Sequence, residues 1–259
     1  MSSEDILTQT PPAPDRRVAY GADPSQFMDV RLPAGAARGP LAAALFIHGG
    51  YWRSKYDLVH AGHLCAALSR QGVASFNIEY RRVGNPGGGW PGSFEDIRSA
   101  YSFLRQNSSR FNVDPNRLLV LGHSAGGQLA LCLSAHEPTV RRVISLAGVL
   151  DLQKGFRMHL SHDAVAEFLG GTPDAVPDHY READPMELRI ANARQWMIHG
   201  GADDTVPIEF SREYVTKKQK SGESVALLEV AHAGHFDLID PLSEGFKTVQ
   251  DAVKAALGS

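Results

Sequence analysis

The chain has 259 residues, 43% hydrophobic and 21% charged, with a formal net charge of −3. This is an ordinary globular composition, which excludes a disordered, collagen-like or coiled-coil protein, and the charge leaves no basic footprint for nucleic acid. No apolar run reaches membrane-spanning length, and Cys65 and Cys132 both fall in predicted helices, as buried reduced thiols of a cytoplasmic protein would.

Residues 1–17 carry early acidic residues, a Pro11–Pro12 pair and no apolar core of signal length, so they read as a loose leader. Residues 18–259 read as one domain. Phe27 to Pro33 alternates apolar and polar residues, the pattern of a half-exposed strand. LAAALFIHGG, starting at Leu41, is a continuous apolar run ending in two glycines, which suits a strand buried on both faces. A helix follows from about Leu58, stopped by Gly72, and then the strand VASFNIEY. Ser93 with Asp96 three residues on approximates a capping box for the next helix. RLLVLG is a strand, AGGQLALCLSAH a helix and RRVISLAG a strand. From Asp151 to about Ala193 the rhythm breaks into short helical pieces, which predicts a small cap-like insertion (151–193). The strand QWMIHGG, a helix from about Glu209, the strand SVALLEV and a helix from about Ser243 to Leu257 complete the chain. Alternating strands and helices predict an α/β fold with a mostly parallel central sheet and helices on both faces.

Within this frame Gly122-His123-Ser124-Ala125-Gly126 fits the G-x-S-x-G pattern where a strand passes into a helix. A serine on that sharp turn is exposed, its neighbours must be glycines, and the helix start aims N–H groups and a positive dipole end at the same point. A serine hydroxyl is a weak nucleophile and needs a base oriented by an acid, here in the chain order Ser, Asp, His. Asp203 follows the glycine loop after QWMIHGG and is the acid candidate, with Asp204 as competitor; His235, after Gly234, is the base candidate, with His232 as competitor. HGGYW, His48 to Trp52, follows the buried strand, and its glycines let the backbone present N–H groups to an oxyanion beside that of Ala125. His48 then holds the loop. Trp52 and Trp90 are candidate apolar walls of a pocket for a compact or aromatic substrate. No His, Cys and carboxylate cluster has zinc spacing, so the chemistry calls for no metal or organic cofactor.

The ordered set HGGYW, GHSAGG, HGGADDTVP and AGHFDLIDP resembles the α/β-hydrolase superfamily, and within it the group of bacterial esterases and kynurenine formamidases (arylformamidases) with an H-G-G-x-W oxyanion motif. YGADPSQFMDVRLP is similar to that group's opening strands, so the resemblance covers nearly the whole chain. It implies the triad Ser124, Asp203 and His235, and an oxyanion hole from the backbone N–H groups of Gly50, Tyr51 and Ala125. Tyr51 stands where the hormone-sensitive-lipase-like group has a third glycine. The implied activity is hydrolysis of small or aryl carboxylic esters through an acyl-enzyme, with arylformamidase activity on an amide substrate as the alternative. A hydrolase-shaped binding protein without turnover is the reading from another class.

Overall fold

The computed structural model describes residues 3–35 and 39–258. Its strands are β1 (Arg16–Ala19), β2 (Phe27–Arg31), β3 (Leu41–Ile47), β4 (Ala74–Ile78), β5 (Val113–His123), β6 (Arg142–Leu146), β7 (Arg194–Gly200) and β8 (Val225–Val230). They form one eight-stranded sheet in the order β1-β2-β4-β3-β5-β6-β7-β8. The β1–β2 and β2–β4 pairs are antiparallel and every pair from β4–β3 onward is parallel. The carboxyl ends of β3, β5, β7 and β8 therefore open on one edge, where ligands of open α/β sheets bind.

The helices are α1 (Gly62–Arg70), α2 (Gly92–Gln106), α3 (Ala125–His136), α4 (Leu152–Arg157), α5 (Ala164–Leu169), α6 (Pro177–Ala183), α7 (Glu209–Lys220) and α8 (Gly245–Leu257). Leu64 and Leu68 of α1 and Phe246, Val249 and Val253 of α8 build the apolar layer on one face of the sheet. Ile97 of α2, Leu129 of α3 and Phe210 of α7 build the layer on the other. The strands between these layers are buried on both sides, which is why they read as unbroken apolar runs. No helix among the described residues is long and apolar enough to cross a membrane. Cys65 and Cys132 are buried free thiols, and burial pushes Cys65 up to about 12.

Three local expectations are corrected. Residues 1–17 are not loose throughout: Ser3–Leu7 forms a 3-10 helix, Ile6 is 2% exposed, and β1 begins at Arg16. Phe27–Arg31 is not half-exposed, because β2 lies between β1 and β4 and its polar residues have partners. Arg17 Nε donates to Asp29 Oδ1 at 2.7 Å, and Arg31 Nη2 donates to the Pro12 carbonyl at 2.7 Å. Ser93 and Asp96 do not form a capping box. Pro91 occupies the cap position of α2, while the Ser93 hydroxyl donates to the Arg81 carbonyl at 2.6 Å. Asp96 accepts from Arg81 Nη2 at 2.6 Å and from Gln26 Nε2 at 2.6 Å, so both residues pin the glycine-rich loop that precedes the helix.

Candidate active site

Ser124 sits between the end of β5 and the start of α3 with φ 55° and ψ −120°, a conformation that L-residues hold only when their surroundings enforce it. The enforcement is main-chain packing. A Cβ on Gly122 would overlap the Gly126 carbonyl, and one on Gly126 would overlap the Ile47 carbonyl at the end of β3. The Ser124 N–H donates to the Leu146 carbonyl of β6 at 2.8 Å, which ties the turn to the neighbouring strand.

After β7, the Asp203 carboxylate is gripped on both oxygens. Oδ1 accepts from the N–H groups of Thr205 at 2.9 Å and Val206 at 2.8 Å. Oδ2 lies 2.7 Å from His235 Nδ1 and 3.2 Å from His199 Nε2. Burial alone would push this carboxyl up. The hydrogen bonds from His199, His235 and Val206 outweigh it and hold the group well below the usual carboxylate range. Because Asp203 accepts at Nδ1, His235 carries its proton there, and Nε2 is left as the nitrogen that can take a proton from Ser124. His199 Nε2 faces two acceptors, Asp203 and the Val206 carbonyl at 2.9 Å, so it carries the hydrogen, and Nδ1 accepts from Ser211 at 2.7 Å. The competitors stand elsewhere: Asp204 meets the Thr205 hydroxyl at 3.3 Å, and His232 is exposed.

The loop after β3 runs through positive φ at Gly50 (112°), Tyr51 (52°) and Trp52 (57°), closed by an Arg53 N–H to Gly50 carbonyl bond of 3.0 Å. Among the described residues, the N–H groups of Gly50, Tyr51 and Ala125 have no backbone acceptor outside the regular elements. Buried side chains hold this loop. His48 Nδ1 donates to the Gly49 carbonyl at 2.7 Å and Nε2 donates to Glu79 Oε1 at 3.0 Å. Tyr80 stacks on His48 with centroids 4.6 Å apart, and its hydroxyl donates to the His48 carbonyl at 3.0 Å. Glu79 also pairs with Arg82 Nη2 at 3.0 Å, and Arg82 Nη1 donates to the Tyr56 carbonyl. Burial opposes charge on Glu79, but His48 and Arg82 outweigh it and hold its carboxyl below the ordinary range. Glu79 thus forms a buried cluster with His48 and Arg82. Sequence reasoning missed Glu79; its signal was a carboxylate closing the apolar run SFNIEY just before Arg81 and Arg82.

Ser124 and His235 line one cavity of about 270 Å³, together with Gly50, Tyr51 and His123. His123 Nε2 donates to the His235 carbonyl at 3.0 Å; burial, with His235 beside it, holds its ring neutral. His60 also lines the cavity, and burial, helped by His48, pushes it down to about 3. Trp52 and Trp90 are outside this lining, which corrects the expectation that they wall the pocket. Trp52 is fully buried, stacked on Phe168 of α5 at 4.6 Å, with its N–H donating to Gln128 at 3.0 Å. Trp90 is half-buried, stacked on Phe94 at 5.2 Å and edge-on to Phe168 at 6.2 Å. An indole whose N–H finds a partner inside an apolar layer gains more there than on a wet wall. Residues 151–193 supply α4, α5 and α6 and brace the loop after β3 rather than line this cavity, with Arg53 Nε donating to Glu167 at 2.6 Å.

A mostly parallel sheet with a serine at a strained strand-to-helix turn, an Asp-bound histidine after the last strand and a glycine loop lining the same cavity defines an α/β hydrolase. The chain is similar in fold to a truncated carbohydrate esterase from gut microbiota, with a TM-score of 0.81 at 20% identity, covering 97% of this chain and all of that one. The model of the BD-FAE family matches residues 28–217, and the chain belongs to that family. It is 30% identical over 252 residues to Esterase LipC of Mycobacterium tuberculosis (strain ATCC 25618 / H37Rv), covering 89% of this chain and 62% of LipC. It is 23% identical over 266 residues to isoprenylcysteine alpha-carbonyl methylesterase ICME of Arabidopsis thaliana, covering 93% of this chain and 61% of that one. The chain thus spans about three-fifths of the length of the curated relatives it matches.

Proposed function

We propose that this chain hydrolyses compact carboxylic esters through an acyl-enzyme on Ser124. The observation that carries the reading is the shared cavity of Ser124 and His235, with His235 Nδ1 held 2.7 Å from an ionised Asp203. The esterase names of the relatives support the reaction class. Ser124 Oγ attacks the carbonyl carbon as His235 Nε2 takes its proton. Asp203 fixes the tautomer and stabilises the imidazolium. The N–H groups of Gly50, Tyr51 and Ala125 receive the oxyanion charge. The tetrahedral oxyanion collapses to re-form the carbonyl, the bond to the alcohol oxygen breaks as His235 gives that oxygen its proton, and water repeats the sequence on the acyl group. A cavity of about 270 Å³ lies below the range that holds drug-sized ligands, which favours a small acyl or alcohol part.

A fluorophosphonate probe tests the reading, followed by assays on p-nitrophenyl acetate and N-formylkynurenine. Labelling at Ser124 with rapid ester turnover is expected. Absence of labelling would return the chain to the class of binding proteins, and a dominant rate on the formamide would move it to the amide hydrolases.

A further inference from the structure

The segment before β1 builds a wall of the catalytic cavity. In a 3-10 helix side chains three residues apart eclipse, so Glu4 and Leu7 of the Ser3–Leu7 turn share a face. Both line the cavity that holds Ser124 and His235. Ile6 points the other way, 2% exposed, into the apolar layer of Ala61, Leu64 and Cys65. The 3-10 turn packs against a second one, Leu58–Ala61, which carries His60 to the same cavity.

From there the chain is strapped to the body of the protein. His63 Nε2 donates to the Gln9 carbonyl at 3.4 Å and Arg31 Nη2 to the Pro12 carbonyl at 2.7 Å. The Asp15 N–H donates to the Val30 carbonyl at 3.0 Å, and Asp15 Oδ2 accepts from the Leu32 N–H at 2.6 Å. Pro11, Pro12 and Pro14 fix φ along this run and limit its slack. These ties are to β2, the loop after it and α1, whereas the nucleophile, acid and base hang from β5, β7 and β8. The wall can therefore change without disturbing the triad.

We propose that this N-terminal strap determines substrate size, with Leu7 as the residue that limits the length of the group opposite it and Ile6 as the anchor that keeps Leu7 in place. The inference rests on the ester-hydrolase reading of the same cavity. Leu7 is half-buried, so shortening it opens space without emptying a core.

The test compares kcat/KM for two series: p-nitrophenyl acetate, butyrate and octanoate, and acetates of methanol, phenol and 2-naphthol. The full-length protein is compared with Leu7→Ala, Leu7→Trp and Ile6→Ala. In at least one series Leu7→Ala raises the ratio of the longest to the shortest substrate by about 10-fold, the effect of one or two methylenes in a pocket. Leu7→Trp lowers that ratio. Ile6→Ala moves it in the same direction as Leu7→Ala, whereas a purely structural role for Ile6 would lower Tm and leave the ratio unchanged. Unchanged ratios in both series for all three variants would overturn the strap. Absence of ester turnover in the unaltered protein would instead overturn the reading beneath it.

Discussion

The elbow at Ser124 and the proposed oxyanion loop at Gly50 to Trp52 are both positive-φ turns at the carboxyl ends of adjacent strands, yet they are held by different means. The elbow is clamped by main chain: glycines at 122 and 126 exist because carbonyl oxygens occupy the space a Cβ would need. The oxyanion loop is clamped by side chains, through the buried His48, Glu79, Tyr80 and Arg82. The first clamp, on the elbow, uses main-chain atoms alone. The second depends on a charged pair in a dry layer, so the two turns should respond differently to substitution and to acid.

The largest effect separates the serine hydroxyl from the turn that carries it. Ser124→Ala should lower kcat on p-nitrophenyl acetate by about 10⁶-fold while Tm and the far-ultraviolet spectrum stay near the parent values, since the clamps on the elbow are all backbone. Next comes the acid. Asp203→Asn should cost about 10⁴-fold by spoiling the His235 tautomer, whereas Asp204→Asn, which bonds the Thr205 hydroxyl rather than His235, should leave the rate within a few-fold. Steady-state kinetics on the pair decides between them.

Glu79→Gln then probes the side-chain clamp. It strands His48 and Arg82 without their carboxylate, and breaking a buried pair in this way costs about 3–5 kcal/mol. Denaturant unfolding would read the loss, and retention of both stability and rate would show that the oxyanion loop holds itself as the elbow does. The pH dependence follows from the sign of the Glu79 shift. A carboxyl lowered in the folded state contributes stability that is complete above its unfolded value and is lost as pH falls through the folded one. The advantage of the parent over Glu79→Gln should therefore be flat from roughly pH 6 to 8 and shrink below the ordinary glutamate value of 4.5. The smallest effect is at the elbow's own packing. Gly126→Ala should cost about 1–3 kcal/mol by overpacking against the Ile47 and His48 carbonyls, with no dependence on pH. An acid-sensitive loss there would erase the distinction between the two turns.

The main-chain clamp was also the part most legible in the sequence. A glycine that cannot be anything else is visible as a letter, and so is an apolar run that must be buried on both faces. The order of serine, aspartate and histidine along the chain, each after a strand, was visible too. Side-chain clamps were not. Glu79 shows no sign of its role in the sequence, because His48 is brought beside it only by the pairing of β3 with β4, although Arg82 is three residues away. The strap is illegible for a similar reason: with only Ile6 and Leu7 apolar between Ser3 and Pro12, its order comes from α1 and β2, far along the chain. Neighbourhood in sequence to Gly50 and Tyr51 does not say which way the Trp52 indole turns.

The two indoles that left the pocket have a use of their own. Of the three tryptophans, Trp52 and Trp90 both meet the ring of Phe168 on α5, while Trp196 lies in the apolar layer on the far side of the sheet. Lifting α5 would strip a ring from two emitters and leave the third untouched. The fold thus carries an optical gauge of how firmly its excursion is seated, readable as intrinsic fluorescence without any label.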